Sequence, residues 1–213
     1  MKFELNNVLP RPLSDTPLSD ESCWKKRAVI GPEGNYLVEA PSGTGKTTLV
    51  SIMYGMRHDY DGDVLLDGKN VRKFSISDWE ALRRDLISAV FQDLRLFPQL
   101  SAEENIAVKN QLTGALKEDE IRSMAETLGI GNKLGQRCGT LSLGQQQRVA
   151  IIRALAQPFR MILLDEPFSH LDEENSRKAA EMISSFCERN KAALVLTSLG
   201  PNRFFEFTEK ISI

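Results

Sequence analysis

Tyr36-Leu-Val-Glu-Ala40-Pro-Ser-Gly-Thr-Gly45-Lys-Thr-Thr48 is the stretch that decides the fold. An apolar run that suits a buried strand enters a loop with two glycines, and Lys46 to Met53 continues with helical character. In a strand, tight loop, helix order, successive backbone N–H groups can surround a polyphosphate, and the helix N-terminus adds partial positive charge. Gly43 and Gly45 allow close backbone approach, Lys46 reaches phosphate oxygens, and Thr47 offers a hydroxyl to Mg²⁺. A second segment, Met161-Ile-Leu-Leu-Asp165-Glu166-Pro167, ends a buried strand in two carboxylates, one suited to a metal and one to a water. Either segment alone has an ordinary reading: Gly-Lys-Thr occurs by chance, and Ala40 stands where the strict G-x-x-x-x-G-K-[ST] pattern opens with glycine. Their joint occurrence in this order implies nucleoside-triphosphate chemistry.

The composition sets bounds on the rest. A chain of 213 residues, 41% hydrophobic and 26% charged, suits one α/β domain with a lobe and can bury a large core. The formal net charge of −2 supplies no global field to recruit nucleic acid or an anionic membrane. Lys25-Lys26-Arg27 reads as a solvated strand edge. Three widely spaced cysteines, Cys23, Cys138 and Cys187, without C-x-x-C, point to reduced thiols in a cytosolic compartment. No signal peptide is visible at the N-terminus, and no apolar run approaches the roughly 18 residues that span a bilayer. Membrane attachment is therefore expected only through a partner.

Along the chain, residues 10–20 carry Pro-Leu-Ser-Asp twice and read as a loop. Arg27–Ile30, Tyr36–Ala40 and Asp63–Leu66 read as strands, Ser77 or Asp78 as the cap of a helix to about Leu86, and Ile87–Phe91 as a buried strand leading into Gln92. From Asp93 to Thr140 helix signals dominate, with a capping box at Ser101-Ala-Glu-Glu before Asn105–Val108 and helical spacing over Lys117–Leu128. An apolar-periodic helix is expected over Val149–Leu155, strands over Met161–Leu164 and Ala193–Thr197, a helix over Asp172–Asn190, and an edge strand over Ile211–Ile213. The expected division is an α/β core of residues 1–91 and 157–213, with a helical lobe, 92–156, inserted into a mostly parallel sheet.

Leu141-Ser142-Leu143-Gly144-Gln145-Gln146-Gln147-Arg148 lies between the two phosphate segments. Here the chain resembles the ATP-binding-cassette (ABC) ATPases, whose signature reads Leu-Ser-Gly-Gly-Gln. The resemblance spans roughly residues 27–200 and adds Val90-Phe91-Gln92-Asp93 as the glutamine loop and Ser169-His170-Leu171-Asp172 as the D-loop. It implies a P-loop NTPase core and the cofactors ATP and Mg²⁺. The phosphate loop, Ala40, Pro41, Ser42, Gly43, Thr44, Gly45, Lys46, Thr47 and Thr48, would hold the β and γ phosphates. Thr47 and Asp165 would serve the metal, Gln92 would touch the metal or the attacking water and sense the helical lobe, and Glu166 would polarise that water. Ser142, Gly144 and Gln145 would cover ATP on a second subunit in a head-to-tail homodimer, with Asp172 at that interface; as a plain helix N-cap, Asp172 satisfies the pattern equally well. The short single cassette and Leu94–Leu100 look like the transporter branch, in which this region helps to receive an integral membrane permease; lobe core is the alternative for that segment. The implied location is the cytoplasmic face of the membrane, bound through the permease, with no nucleic acid partner.

The departures matter as much as the matches. Leu143 replaces the first signature glycine. The family's switch histidine falls at about Ser198, and the only histidines are His58 and His170. Serine can share a hydrogen bond but carries no charge near neutral pH, so slow hydrolysis is expected. Residues 16–21 hold no aromatic side chain to stack on adenine, and Trp24 either packs on the sheet or reaches the base. Two rivals remain at this point: an ATP-gated dimerisation module with little turnover, and a soluble ABC ATPase unconnected with transport.

Overall fold

The computed structural model describes residues 1–213. In chain order it has β1 (Phe3–Pro10), β2 (Ala28–Ile30), β3 (Asn35–Glu39), α1 (Lys46–Met53), β4 (Tyr60–Leu66), β5 (Lys69–Asn70) and α2 (Ile76–Asp85). It continues with β6 (Ile87–Val90), α3 (Ala102–Thr113), α4 (Glu118–Thr127), α5 (Leu143–Leu155), β7 (Met161–Asp165), α6 (Glu173–Asn190), β8 (Ala193–Ser198) and β9 (Glu209–Ile211).

The central sheet has the order β6-β7-β8-β3-β9, with every neighbouring pair parallel. Its inner strands are nearly continuous apolar runs because both faces are covered. The two-residue period divides them cleanly. Leu37, Ile162, Leu164, Leu194 and Leu196 pack with Val149, Ile152, Ala179 and Ile183 of α5 and α6. Val38, Met161, Leu163, Ala193 and Val195 pack with Leu49, Ile52 and Met53 of α1. In register, Asp165 lies beside Thr197 and Glu39 beside Ser198. The loops leaving β3, β7 and β8 therefore meet at one edge, the usual ligand side of a parallel sheet.

Beyond the parallel core, β2-β1-β4-β5 form a separate antiparallel sheet. Its Phe3, Leu5, Val8 and Val64 join the α1 side of the core. The N-terminal strand β1 is thus half-buried, and β4 begins at Tyr60 rather than Asp63. Helix α2 starts earlier than the sequence suggests: Ser75, not Ser77 or Asp78, is its cap. Ser75 Oγ accepts the Asp78 N–H at 3.2 Å while Asp78 Oδ2 accepts the Ser75 N–H at 2.7 Å, so Asp78 closes the box from inside the helix. The Ser101–Glu104 box is formed as expected but starts a longer helix, α3. A third box, between Ser142 and Gln145, starts α5 at Leu143, one and a half turns before the apolar periodicity becomes legible at Val149. The last strand ends at Ile211 instead of beginning there.

Ile106, Leu128, Ile130 and Val149 carry the core from the sheet into the helical segment without a break. Arg27 and the neighbouring Lys25 and Lys26 are exposed and ion-paired. All three cysteines are free and buried, and burial pushes the thiols of Cys23 and Cys187 up to about 12. No helix is long and apolar enough to cross a membrane.

Candidate functional site

The loop between β3 and α1 holds Gly43 at φ 84° and Gly45 at φ 105°. A Cβ on Gly45 would lie 2.7 Å from Leu13 Cδ1 and 3.2 Å from the Trp24 ring, whereas one on Gly43 would meet nothing within 4 Å. Gly45 is thus required by backbone conformation and by packing beneath the loop, while Gly43 faces open space. Trp24 is buried and its Nε1–H donates to the Thr44 carbonyl at 3.2 Å. Its ring supports the loop from below, which favours the packing role over stacking on a base.

The backbone N–H groups of residues 43–48 find no acceptor in the chain, and Gly45, the N-cap of α1, offers no side chain to them. A run of orphan donors at a helix N-terminus, on an exposed loop, is a site shaped for an anion. Lys46 is 5% exposed, and its Nζ donates to the carbonyls of Ala40 at 2.7 Å and Pro41 at 2.9 Å. That ammonium also lies 3.6 Å from Glu166 Oε1. Thr47 Oγ donates to Gln92 Oε1 at 3.3 Å, so the glutamine loop after β6 reaches the first turn of α1.

Asp165 and Glu166 complete this face. The Thr197 hydroxyl donates to Asp165 Oδ1 at 2.6 Å, and the Glu166 N–H reaches Thr197 Oγ1 at 3.3 Å. Asp165 Oδ2 is buried without a partner. An orphan buried carboxylate oxygen is costly, and a cation is a chemically apt partner for it. The oxygens of Thr47, Gln92 and Asp165 are of the type that a hard divalent ion takes. The residues present therefore fit Mg²⁺ together with phosphate.

Lys46, Thr47, Gln92, Asp165 and Glu166 are thus brought together as the sequence suggests. Ser198 is adjacent, its carbonyl accepting the Ala40 N–H at 3.2 Å. Its hydroxyl, however, donates to the Gly200 carbonyl at 2.6 Å and accepts the Gly200 N–H at 3.3 Å. The side chain closes its own turn. Ser142, Gly144 and Gln145 make no hydrogen bond to the phosphate loop: Ser142 Oγ accepts the Gln145 N–H at 3.3 Å, and Gln145 Oε1 accepts the Ser142 N–H at 3.0 Å. Asp172 is the N-cap of α6, with Oδ1 accepting the Asn175 N–H at 2.8 Å. That bond holds its carboxyl below the usual range.

A family model described as ABC transporter matches residues 33–169. The chain belongs to the ABC transporter family, as an ATP-binding cassette. It is 33% identical over 167 residues to the ABC transporter ATP-binding protein YclH of Bacillus subtilis, covering 76% of this chain and 73% of that protein. An ABC transporter ATP-binding protein of Thermotoga maritima is 36% identical over 169 residues, covering 78% and 72%. Among solved structures, the dimeric bacterial ABC transporter cassette MJ0796 superposes with a TM-score of 0.75 at 29% identity, covering 92% of this chain and 87% of that one. The same cassette in a post-hydrolysis state with ADP and Pi gives 0.74. The cassette is thus an ABC-type ATPase subunit of a transporter.

Two residues of this face escape a reading of the sequence alone. Thr197 sits inside an apolar strand pattern, where its hydroxyl looks incidental. Gln147 sits in a run of three glutamines, where it looks like part of a solvated face, yet it is 1% exposed.

Proposed function

We propose that this cassette binds Mg-ATP at loop 40–48 and hydrolyses it within a head-to-tail homodimer that drives a separate integral membrane permease. The observation that carries the reading is the set of unpaired N–H groups at 43–48, beside Lys46 and two carboxylates. Thr47, Gln92 and Asp165 would hold Mg²⁺, which when bound neutralises phosphate charge. Lys46 binds and orients the phosphates, and the Glu166 carboxylate orients water in line with the terminal phosphorus. Ser142 and Gly144 would meet nucleotide on the second subunit. Residues 92–156 would move as the lobe that reports nucleotide state to the permease.

Glu166→Gln should lower phosphate release about 10²–10⁴-fold while keeping ATP bound. It should also run as an ATP-dependent dimer on a sizing column. A mutant that stays monomeric with ATP, beside a parent that releases no phosphate, would overturn the reading.

One observation favours slow turnover, closer to an ATP-gated dimerisation module. Ser198 spends its hydroxyl on Gly200, leaving the switch position without a free donor. Ser198→His should therefore raise kcat, by up to about 10²-fold, with little change in ATP affinity. Equal steady-state rates in the two proteins would assign that role elsewhere.

A further inference from the structure

Gln147 lies one turn after Ser142 on the inward face of α5, and both ends of its carboxamide are engaged. Nε2 donates to the Glu166 carbonyl at 3.1 Å and, more weakly, to Ser169 Oγ at 3.4 Å. Oε1 accepts the His170 N–H at 2.9 Å. A buried carboxamide matched in this way is fixed in one orientation.

Its main partner needs holding. Glu166 has φ 49°, a left-handed conformation that is unfavourable for a residue with a side chain and persists only where neighbours impose it. The Glu166 N–H is taken by the Thr197 carbonyl at 3.2 Å and by its hydroxyl; the Glu166 carbonyl is taken by Gln147 at 3.1 Å and by the Ser169 N–H at 3.3 Å. The contact between α5 and the D-loop is also close. A Cβ on Gly144 would lie 2.7 Å from the His170 carbonyl oxygen, so only glycine fits this approach of α5 to the D-loop.

We propose that Gln147 is a positioning residue for Glu166. It ties the peptide after β7 and the D-loop to the signature helix, so a displacement of the Ser142 end of α5 reaches the carboxylate of the same subunit. Gln147 touches no nucleotide. Resting on the head-to-tail reading above, this connection joins the helix end that meets one ATP to the carboxylate that serves the other. The two sites of the dimer are thereby coupled through the contact of α5 with the D-loop in each subunit, with Gln147 as its buried hydrogen-bonding member.

The test compares the full chain with Gln147→Met, which keeps the length and removes all three side-chain hydrogen bonds. Mg-ATP affinity should stay within about twofold, while kcat falls about tenfold or more, because a displaced reacting group is costly even when binding is intact. The Hill coefficient for ATP in hydrolysis should fall toward about 1 as coupling is lost. Gln147→Glu supplies an independent readout. Its carboxylate still accepts the His170 N–H, but it can donate to Glu166 only when protonated. Activity relative to the parent should therefore rise as the pH falls and the carboxyl takes up its proton. An unchanged kcat and Hill coefficient in Gln147→Met, or affinity lost in step with kcat, would overturn the proposal, as would a flat relative pH profile for Gln147→Glu. A parent that neither hydrolyses ATP nor dimerises would instead remove the proposed function on which it rests.

Discussion

Helices α1 and α5 both begin at residues expected to meet phosphate, and their first turns are finished in opposite ways. The start of α1 is a glycine at φ 105° with no side-chain cap, and the amides around it have no acceptor. The start of α5 is a closed capping box, in which Ser142 and Gln145 satisfy each other's backbone N–H groups. A helix usually spends Ser, Thr, Asp or Asn on its first turn, and each such cap stabilises it by about 1 kcal/mol. Leaving the cap out at α1 keeps those donors for an anion. The box at α5 makes that end stable by itself, so the nucleotide contact proposed for it would be an addition supplied by assembly.

The largest expected effect on this contrast comes from Gly45→Ala. The left-handed conformation costs alanine about 1–2 kcal/mol, and the new methyl would press on Leu13 and the Trp24 ring. ATP affinity should fall more than tenfold and the melting temperature by about 4 °C or more, by titration calorimetry and thermal unfolding. Retained affinity would mean that the loop's conformation is not what binds. The smaller effect comes from Ser142→Ala, which removes one cap. The melting temperature should drop by about 2–4 °C, with monomer affinity for ATP unchanged. A loss of monomer affinity equal to that of Gly45→Ala would erase the difference between the two helix starts.

The readable part of the molecule is the part where chemistry restricts the residue at consecutive positions. Gly43, Gly45, Lys46 and Thr47 each have a separate physical reason, and the apolar β3 and β7 can only be buried strands. The antiparallel sheet was less legible, because β1 shows its pattern only once Phe3, Leu5 and Val8 are seen to face inward together. The α2 cap falls at Ser75 rather than at Ser77 or Asp78, since all three side chains can accept an amide and only the helix register chooses. The position of Ser198 at the end of β8 is legible, but its turn with Gly200 depends on a rotamer that no sequence pattern encodes. Gln147 and Thr197 were hidden for opposite reasons: one is polar in a polar run, the other is a single hydroxyl in an apolar strand. Both acquire a role only through partners far away in the chain.

The most direct measurement is a Mg-ATP titration of the parent against Lys46→Ala. The Lys46 ammonium sits at the end of the uncapped helix start, 3.6 Å from Glu166 and 5% exposed, where it can serve a phosphate. A charge-assisted contact of this kind is worth about 1.5–3 kcal/mol, so the expected result is a loss of affinity of about 10- to 100-fold with the fold intact. Equal affinity in the two proteins would contradict the central claim that this loop holds the triphosphate.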